Sequence, residues 1–169
     1  MISAANEHVL FDFSQPDVRP WLTMDDTVMG GVSHSKMRIE NGRAVFAGVV
    51  SLDFGGGFAS VRSDPGFLDL SGFTGIETLL RGDGRRYKLV LKSDAGLGGV
   101  NWQAPFQTQC GERQMVRVPF QDLIPVYRGS RVSNAAPFDA RCIAAFGFLI
   151  SAKQAGPFRL EIERIVAYH

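Results

Sequence analysis

DDTVMGGVS at residues 25–33, GGGFASVRS at residues 55–63 and RGDGRRYKL at residues 81–89 each join a glycine-rich turn to an alternating run. Glycine supplies the positive backbone angles that tight turns need, and alternation of apolar with polar residues is the signature of a half-buried strand. The same pattern recurs outward from these stretches. Phe158, Leu160 and Ile162 alternate with Arg159, Glu161 and Glu163, and Tyr87, Leu89 and Leu91 alternate with Arg86, Lys88 and Lys92. Further strand runs are Glu7 to Phe13, Ser35 to Glu40, Arg43 to Leu52, Gly57 to Ser63, Gly75 to Arg81, Val100 to Thr108, Gln114 to Phe120 and Cys142 to Ser151. Asn41-Gly42 and Asp83-Gly84 read as hairpin turns between neighbouring runs. Only Phe120 to Pro125 and Asp17 to Met24 have room for a short helical turn, so parallel βαβ units are not expected. The predicted fold is all-β, a two-sheet antiparallel jelly-roll β-sandwich.

The chain has 169 residues, which fits one domain spanning 1–169. Eighteen basic and 17 acidic residues give a formal charge of +1, so the sequence offers no field that would draw nucleic acid. No apolar run approaches the length of a membrane span; the longest, Cys142 to Ile150, is strand-sized. The N-terminus MISAANEHVLFDF has neither the basic and apolar regions of a secretory signal nor an Arg/Ser-rich targeting stretch. A cytoplasmic location follows as an expectation, with Cys110 and Cys142 as reduced thiols. Arg128 to Asp139 reads as a long irregular loop rich in Ser, Asn and Pro.

No motif announces catalysis. Ser33 and His34 are adjacent, which sends their side chains to opposite faces of a strand. Asp25 and Asp26 could serve acid–base chemistry or Ca²⁺, but Asp beside a glycine-rich turn ordinarily caps backbone donors, and that reading is favoured. His8, His34 and His169 are scattered, so no metal is expected. Gly55-Gly56-Gly57 and Gly96-Leu97-Gly98-Gly99 lack the GK[ST] of a phosphate loop and read as turns, so no cofactor is expected. Arg81-Gly82-Asp83 reads as a hairpin end.

Binding is better supplied. Trp102, Ala104 and Phe106 share one strand face, with Asn101, Gln103 and Gln107 on the other, a mixture of rings and amides that suits a sugar. Trp21, Tyr87 and Trp102 are the strong aromatic platforms, although Tyr87 and Trp102 weigh more as core. Arg62, Arg81, Arg85, Arg128 and Arg131 sit at strand ends or in loops, where they could clamp a carboxylate, a phosphate or an acidic partner loop. If its strand face is inner, Arg62 requires a semi-buried acid partner, with Asp25, Asp26 or Asp83 available. Candidate ligand- or partner-binding residues are therefore Trp21, Asp25, Asp26, Arg62, Arg81, Asp83, Trp102 and Arg128.

Several of these stretches occur together in one order: WLTMDDTVMGGVS (residues 21–33), GGFASVR (56–62), RGDGRRYKL (81–89), Pro119-Phe120, Tyr127-Arg128-Gly129 and SAKQAGPFRLEIERI (151–165). In this the chain resembles the complex I intermediate-associated protein 30 family. The resemblance spans nearly the whole chain and implies a galactose-binding-domain-like jelly roll without catalysis, with mitochondrial members that assist assembly of respiratory complex I. This chain lacks their organellar presequence and the reductase domain fused to some plastid relatives, so a stand-alone bacterial-type member is expected. The resemblance implies a protein client, in a respiratory or photosynthetic membrane complex. The alternative is a carbohydrate or small-ligand module.

Overall fold

The computed structural model describes residues 7–18, 21–64, 66–93 and 99–169. Among the described residues thirteen strands form: β1 (Glu7–Asp12), β2 (Leu22–Asp25), β3 (His34–Glu40), β4 (Arg43–Val50), β5 (Ala59–Arg62), β6 (Gly75–Arg81), β7 (Arg86–Lys92), β8 (Asn101–Gln107), β9 (Arg113–Pro119), β10 (Ile124–Tyr127), β11 (Ser130–Arg131), β12 (Ala145–Ile150) and β13 (Gly156–Tyr168). They divide into two antiparallel sheets. One runs β3-β4-β13-β6-β9, with β1 also on β13, and the other runs β11-β10-β8-β7-β12-β5-β2. This is the two-sheet jelly-roll sandwich that the alternation predicted. Between the sheets lie the inward rows, among them Phe46, Leu80, Leu160 and Ile162 from one side and Tyr87, Leu89, Leu91, Phe148 and Ile150 from the other, all buried.

The turn between β3 and β4 is the expected hairpin, with Asn41 at φ 51° and Gly42 at φ 76° beside the Glu40–Arg43 pair. β13 is longer than its sequence alternation shows. A register shift between Ile162 and Arg164 inserts an extra residue, and the inward row resumes at Ile165. The bulge hides half of the strand from a period-two reading.

Two expectations are corrected. Asp83-Gly84 does not close a hairpin, because β6 pairs with β13 and β9 whereas β7 pairs with β8 and β12 in the other sheet. The reason lies in the turn itself. The Asp83 carboxylate accepts the Arg159 amide of β13 at 2.8 Å, the Arg85 amide at 3.1 Å and the Tyr87 hydroxyl at 3.0 Å, which ties the crossover to both sheets. Gly82 meanwhile lies so close to Thr108 that a Cβ there would collide with the threonine side chain. Second, part of the Arg128–Asp139 loop is the short hairpin of β11 on β10. Of the Asp17 to Met24 stretch, Arg19 and Pro20 lie outside the described residues, and β2 begins at Leu22, paired to β5. The Phe120 turn is present as a 3-10 turn over Phe120–Asp122. Gly96 to Gly98 lie outside the described residues.

Asp83→Ala is expected to lower stability by about 2–3 kcal/mol, since a charged acceptor is removed from three donors. Urea denaturation with an unchanged slope measures it. A loss under about 0.5 kcal/mol would remove Asp83 as the tie between sheets.

Candidate functional site

The DDTVMGGVS and GGGFAS stretches meet around one side chain. Asp26 is 1% exposed, and its carboxylate accepts the Ser33 amide at 2.9 Å, the Ser33 hydroxyl at 2.5 Å, the Gly57 amide at 2.7 Å and the Phe58 amide at 3.3 Å. Burial alone would raise its pKa, but the Ser33 hydroxyl and the amides outweigh burial and hold it below the ordinary carboxylate range. Gly31 and Gly56 make the space: a Cβ on either would fall 2.5 Å from the carboxylate. Asp25, half-buried, accepts the Ser35 hydroxyl at 2.7 Å and the Ser60 amide at 3.2 Å, yet burial dominates and pushes its pKa up. Both aspartates brace the loop ends, as capping predicts.

Trp21 is buried, stacked on Phe148 with ring centroids 6.0 Å apart. Trp102 is half-buried, with Phe138 edge-on at 5.3 Å. It lines an open cleft of about 360 Å³ with Phe120, Leu123, Pro137 and Phe138. Arg128 is exposed at φ 49° in the β10–β11 turn, over the Tyr127 ring at 5.4 Å. Asp83 is the crossover tie. The structure thus scatters most of the candidate residues, and Arg81 and Arg62 lie on different faces.

Arg81 belongs to the outer face of the six-stranded sheet, in register with Arg113 and Glu161, and its buried Nε has no hydrogen-bond partner. Around it runs a lattice of opposite charges. Arg113 forks onto Glu163 at 2.9 and 2.8 Å, Arg117 meets Glu77 at 2.7 Å, Arg159 meets Glu161 at 3.2 Å, and Arg43 reaches Glu161 and Glu163 at 3.8 and 3.7 Å. Hydrogen bonding from Arg113 holds the Glu163 carboxyl low. Such exposed pairs add little stability.

The outer face of the seven-stranded sheet is different in kind. Residues paired across antiparallel strands share a face. One row therefore crosses the sheet as Ile124, Gln103, Val90, Gly147, Arg62 and Leu22. Flanking rows add Asn101, Lys92 and Ala145 on one side and Pro105, Lys88, Leu149 and Ser60 on the other. No described strand packs over this face, yet Lys92 is only 6% exposed and Gln103 only 8%. Gly147 leaves the middle bare, and it must be glycine because a Cβ would sit 2.6 Å from the Val61 carbonyl oxygen. The Asn101 Oδ1 is buried and has no hydrogen-bond partner.

Of the predicted residues only Arg62, half-buried, belongs to this face. The tryptophan row of β8 faces inward, and it is the amide row, Asn101 and Gln103, that faces outward. Lys88 and Lys92 were legible only as the polar side of a strand. The available cue was Gly147 inside the apolar run AFGFLI, since a strand-interior glycine marks close backbone approach. Among the described residues, no three His, Cys, Asp or Glu side chains come together as metal ligands, and no helix is long and apolar enough to cross a membrane.

Two antiparallel sheets packed face to face, one of them with a polar outer face, define a jelly-roll β-sandwich. Solved structures share that fold. A family 11 carbohydrate-binding module from Clostridium thermocellum, in complex with a β-1,3-1,4-mixed-linked tetrasaccharide, superposes with a TM-score of 0.71 at 18% identity, over 98% of this chain and 97% of that one. A family 30 carbohydrate-binding module gives 0.60 at 14% identity, over 96% and 99%. The model of the family named complex I intermediate-associated protein 30 matches residues 11–162, and the chain belongs to that family. An uncharacterised protein of Schizosaccharomyces pombe is 27% identical over 179 residues, 92% of this chain and 82% of that protein.

Proposed function

We propose that the chain is a non-catalytic binding domain that holds a protein client during assembly of a membrane complex, respiratory or photosynthetic, working from the cytoplasmic side. The client lies on the outer face of the seven-stranded sheet. The observation that carries this reading is the polar outward row itself, in which Gln103 and Val90 lie in register with Gly147, where the sheet presents bare backbone. Family membership supports a protein client. An acid–base role for Asp26 is disfavoured by its four hydrogen bonds within its own loops.

Affinity capture from the native source tests the reading. The wild-type chain is expected to recover subunits or assembly factors of a membrane complex, and Val90→Arg, which places a long side chain beside Gly147, is expected to lose them. Recovery of no such protein by the wild type would overturn the reading.

A second reading, a carbohydrate module, is favoured by the amide row and by the fold shared with the family 11 module. Its measure is a thermal-shift screen with mixed-linked β-glucan oligosaccharides. A rise in Tm that Val90→Arg abolishes would favour the sugar, and an unchanged Tm across the screen would remove it.

A further inference from the structure

We propose that Phe54 is an aromatic anchor, held out on a rigid turn to enter an apolar pocket of the protein client. This contact rests on the protein-client reading above and lies at the end of the sandwich rather than on the sheet face. Asp53-Phe54-Gly55-Gly56 closes with the Gly56 amide donating to the Asp53 carbonyl at 3.0 Å, and Phe54 at φ 55° and ψ 33° followed by Gly55 at φ 74° has the backbone of a type I′ turn. The first central position of such a turn belongs to Asn, Asp or Gly, because a bulky side chain is strained in the left-handed region. Packing does not offset the strain, since Phe54 is 78% exposed. Backbone strain held beneath an exposed ring points to a use outside the chain.

The surroundings narrow the partner. Both ends of the turn are fixed by the hydrogen bonds around Asp26. Ser51 donates its amide to the Ser33 hydroxyl at 2.9 Å, its own hydroxyl accepts the Asp53 amide at 3.2 Å, and the Gly57 and Phe58 amides end on the Asp26 carboxylate. A ring presented so firmly has little freedom to lose on binding. Val32 and Leu52, on the same two connections, are exposed as well and widen the apolar tip. The β12–β13 connection spans the same strand ends, since Ile150 pairs with Ala59 and Gly156 with Val50. Across the three connections, residues 26–33, 51–58 and 151–155, the charged residues are Asp26, Asp53 and Lys153. A bilayer surface is held by an apolar face flanked by several cations, and one lysine against two aspartates does not supply them. A pocket on a protein needs no such field, because a buried aromatic anchor carries much of the binding energy by itself. Residues 51–58 lead directly into β5, whose outward row holds Ser60 and Arg62, so a client on that sheet face has the tip at its edge.

The test uses the whole chain. Benzoylphenylalanine in place of Phe54 is irradiated in the native source and the crosslinked peptide is sequenced. The expected adduct is the client that wild-type capture recovers, attached at a stretch of apolar residues. Phe54→Asn suits the turn, so its Tm is expected to rise by about 2–4 °C while recovery of the client falls about tenfold or more. Phe54→Tyr keeps the ring and is expected to stay within about threefold of wild type. Vesicles of phosphatidylcholine, with and without phosphatidylglycerol, are expected to sediment wild type and Phe54→Asn alike. Undiminished recovery of the client by Phe54→Asn, or no adduct from position 54 with a client that the wild type recovers, would overturn the anchor and leave the protein-client reading standing. Vesicle binding that Phe54→Asn abolishes would assign the tip to lipid and overturn the anchor too. No client on the wild type would overturn the reading beneath it.

Discussion

Asp26→Ala is expected to cost about 3–5 kcal/mol, a larger loss than at Asp83 or at Gly31, because three buried or half-buried amides and a hydroxyl lose a charged acceptor together. In a domain of this size that corresponds to a fall in Tm of about 6–20 °C. Urea denaturation should show the midpoint displaced with the slope intact. The pH dependence has a definite sign. The folded pKa of Asp26 is depressed, so its contribution is complete above the unfolded value of about 3.9 and is lost as pH falls through the folded pKa. Asp25 works in the opposite sense: its folded pKa is raised, chiefly by burial, so ionising it as pH rises costs stability. Between about pH 4 and pH 2 the wild type should therefore lose more stability than Asp26→Ala. Parallel acid limbs would mean that the Asp26 charge contributes nothing.

Gly31→Ala is expected to cost about 2–3 kcal/mol, as much as the loss at Asp83, and for a reason confined to one neighbour. Its Cβ would fall 2.5 Å from both Cγ and Oδ1 of Asp26 and 3.0 Å from Cβ, and these are the three atoms nearest to it. No positive backbone angle contributes at Gly31, so the penalty is collision alone. Placed in Asp26→Ala, the same substitution should cost under about 1 kcal/mol, a coupling of roughly 1–2 kcal/mol in a double-mutant cycle. Additive losses would show that the two residues act separately, and that room for the Asp26 carboxylate is not what the glycine provides.

These two residues also show what could be read from the chain. Strands β6 and β7 occupy the ranges that alternation gave them, and Asn41-Gly42 turns where a local signal said it would, because period and turn chemistry are properties of neighbours in sequence. The pairing at Asp83-Gly84 was not legible. It depends on Arg159, 76 residues away, whose amide anchors the carboxylate. Short strands β10 and β11 escaped because Ile124–Tyr127 includes a proline and Ser130–Arg131 is only two residues long. The knot at Asp26 was half legible: capping was the favoured reading, but the burial that makes it costly to disturb comes from a second loop some 30 residues on.

The candidate site was harder still. Reading rings as the binding element pointed to Trp21 and Trp102, and both pack against other aromatic rings, Phe148 and Phe138. A sandwich fills its interior with the largest apolar groups, so the conspicuous residues go inside and the outward face is left to residues with no individual signature. Lys88, Lys92, Asn101 and Gln103 become a site only through the strand order β8-β7-β12-β5. Arg62 was singled out from a loop-end position and joins that outward face by the same pairing.

Site-specific photocrosslinking in the native source decides whether the outer face of the seven-stranded sheet receives the client. A benzoylphenylalanine is placed either at Val90, on that face, or at Leu79, on the outer face of the other sheet. Adducts with subunits or assembly factors of a membrane complex are expected from Val90 and none from Leu79. Adducts from Leu79 alone, or the same adducts from both positions, would rule that surface out.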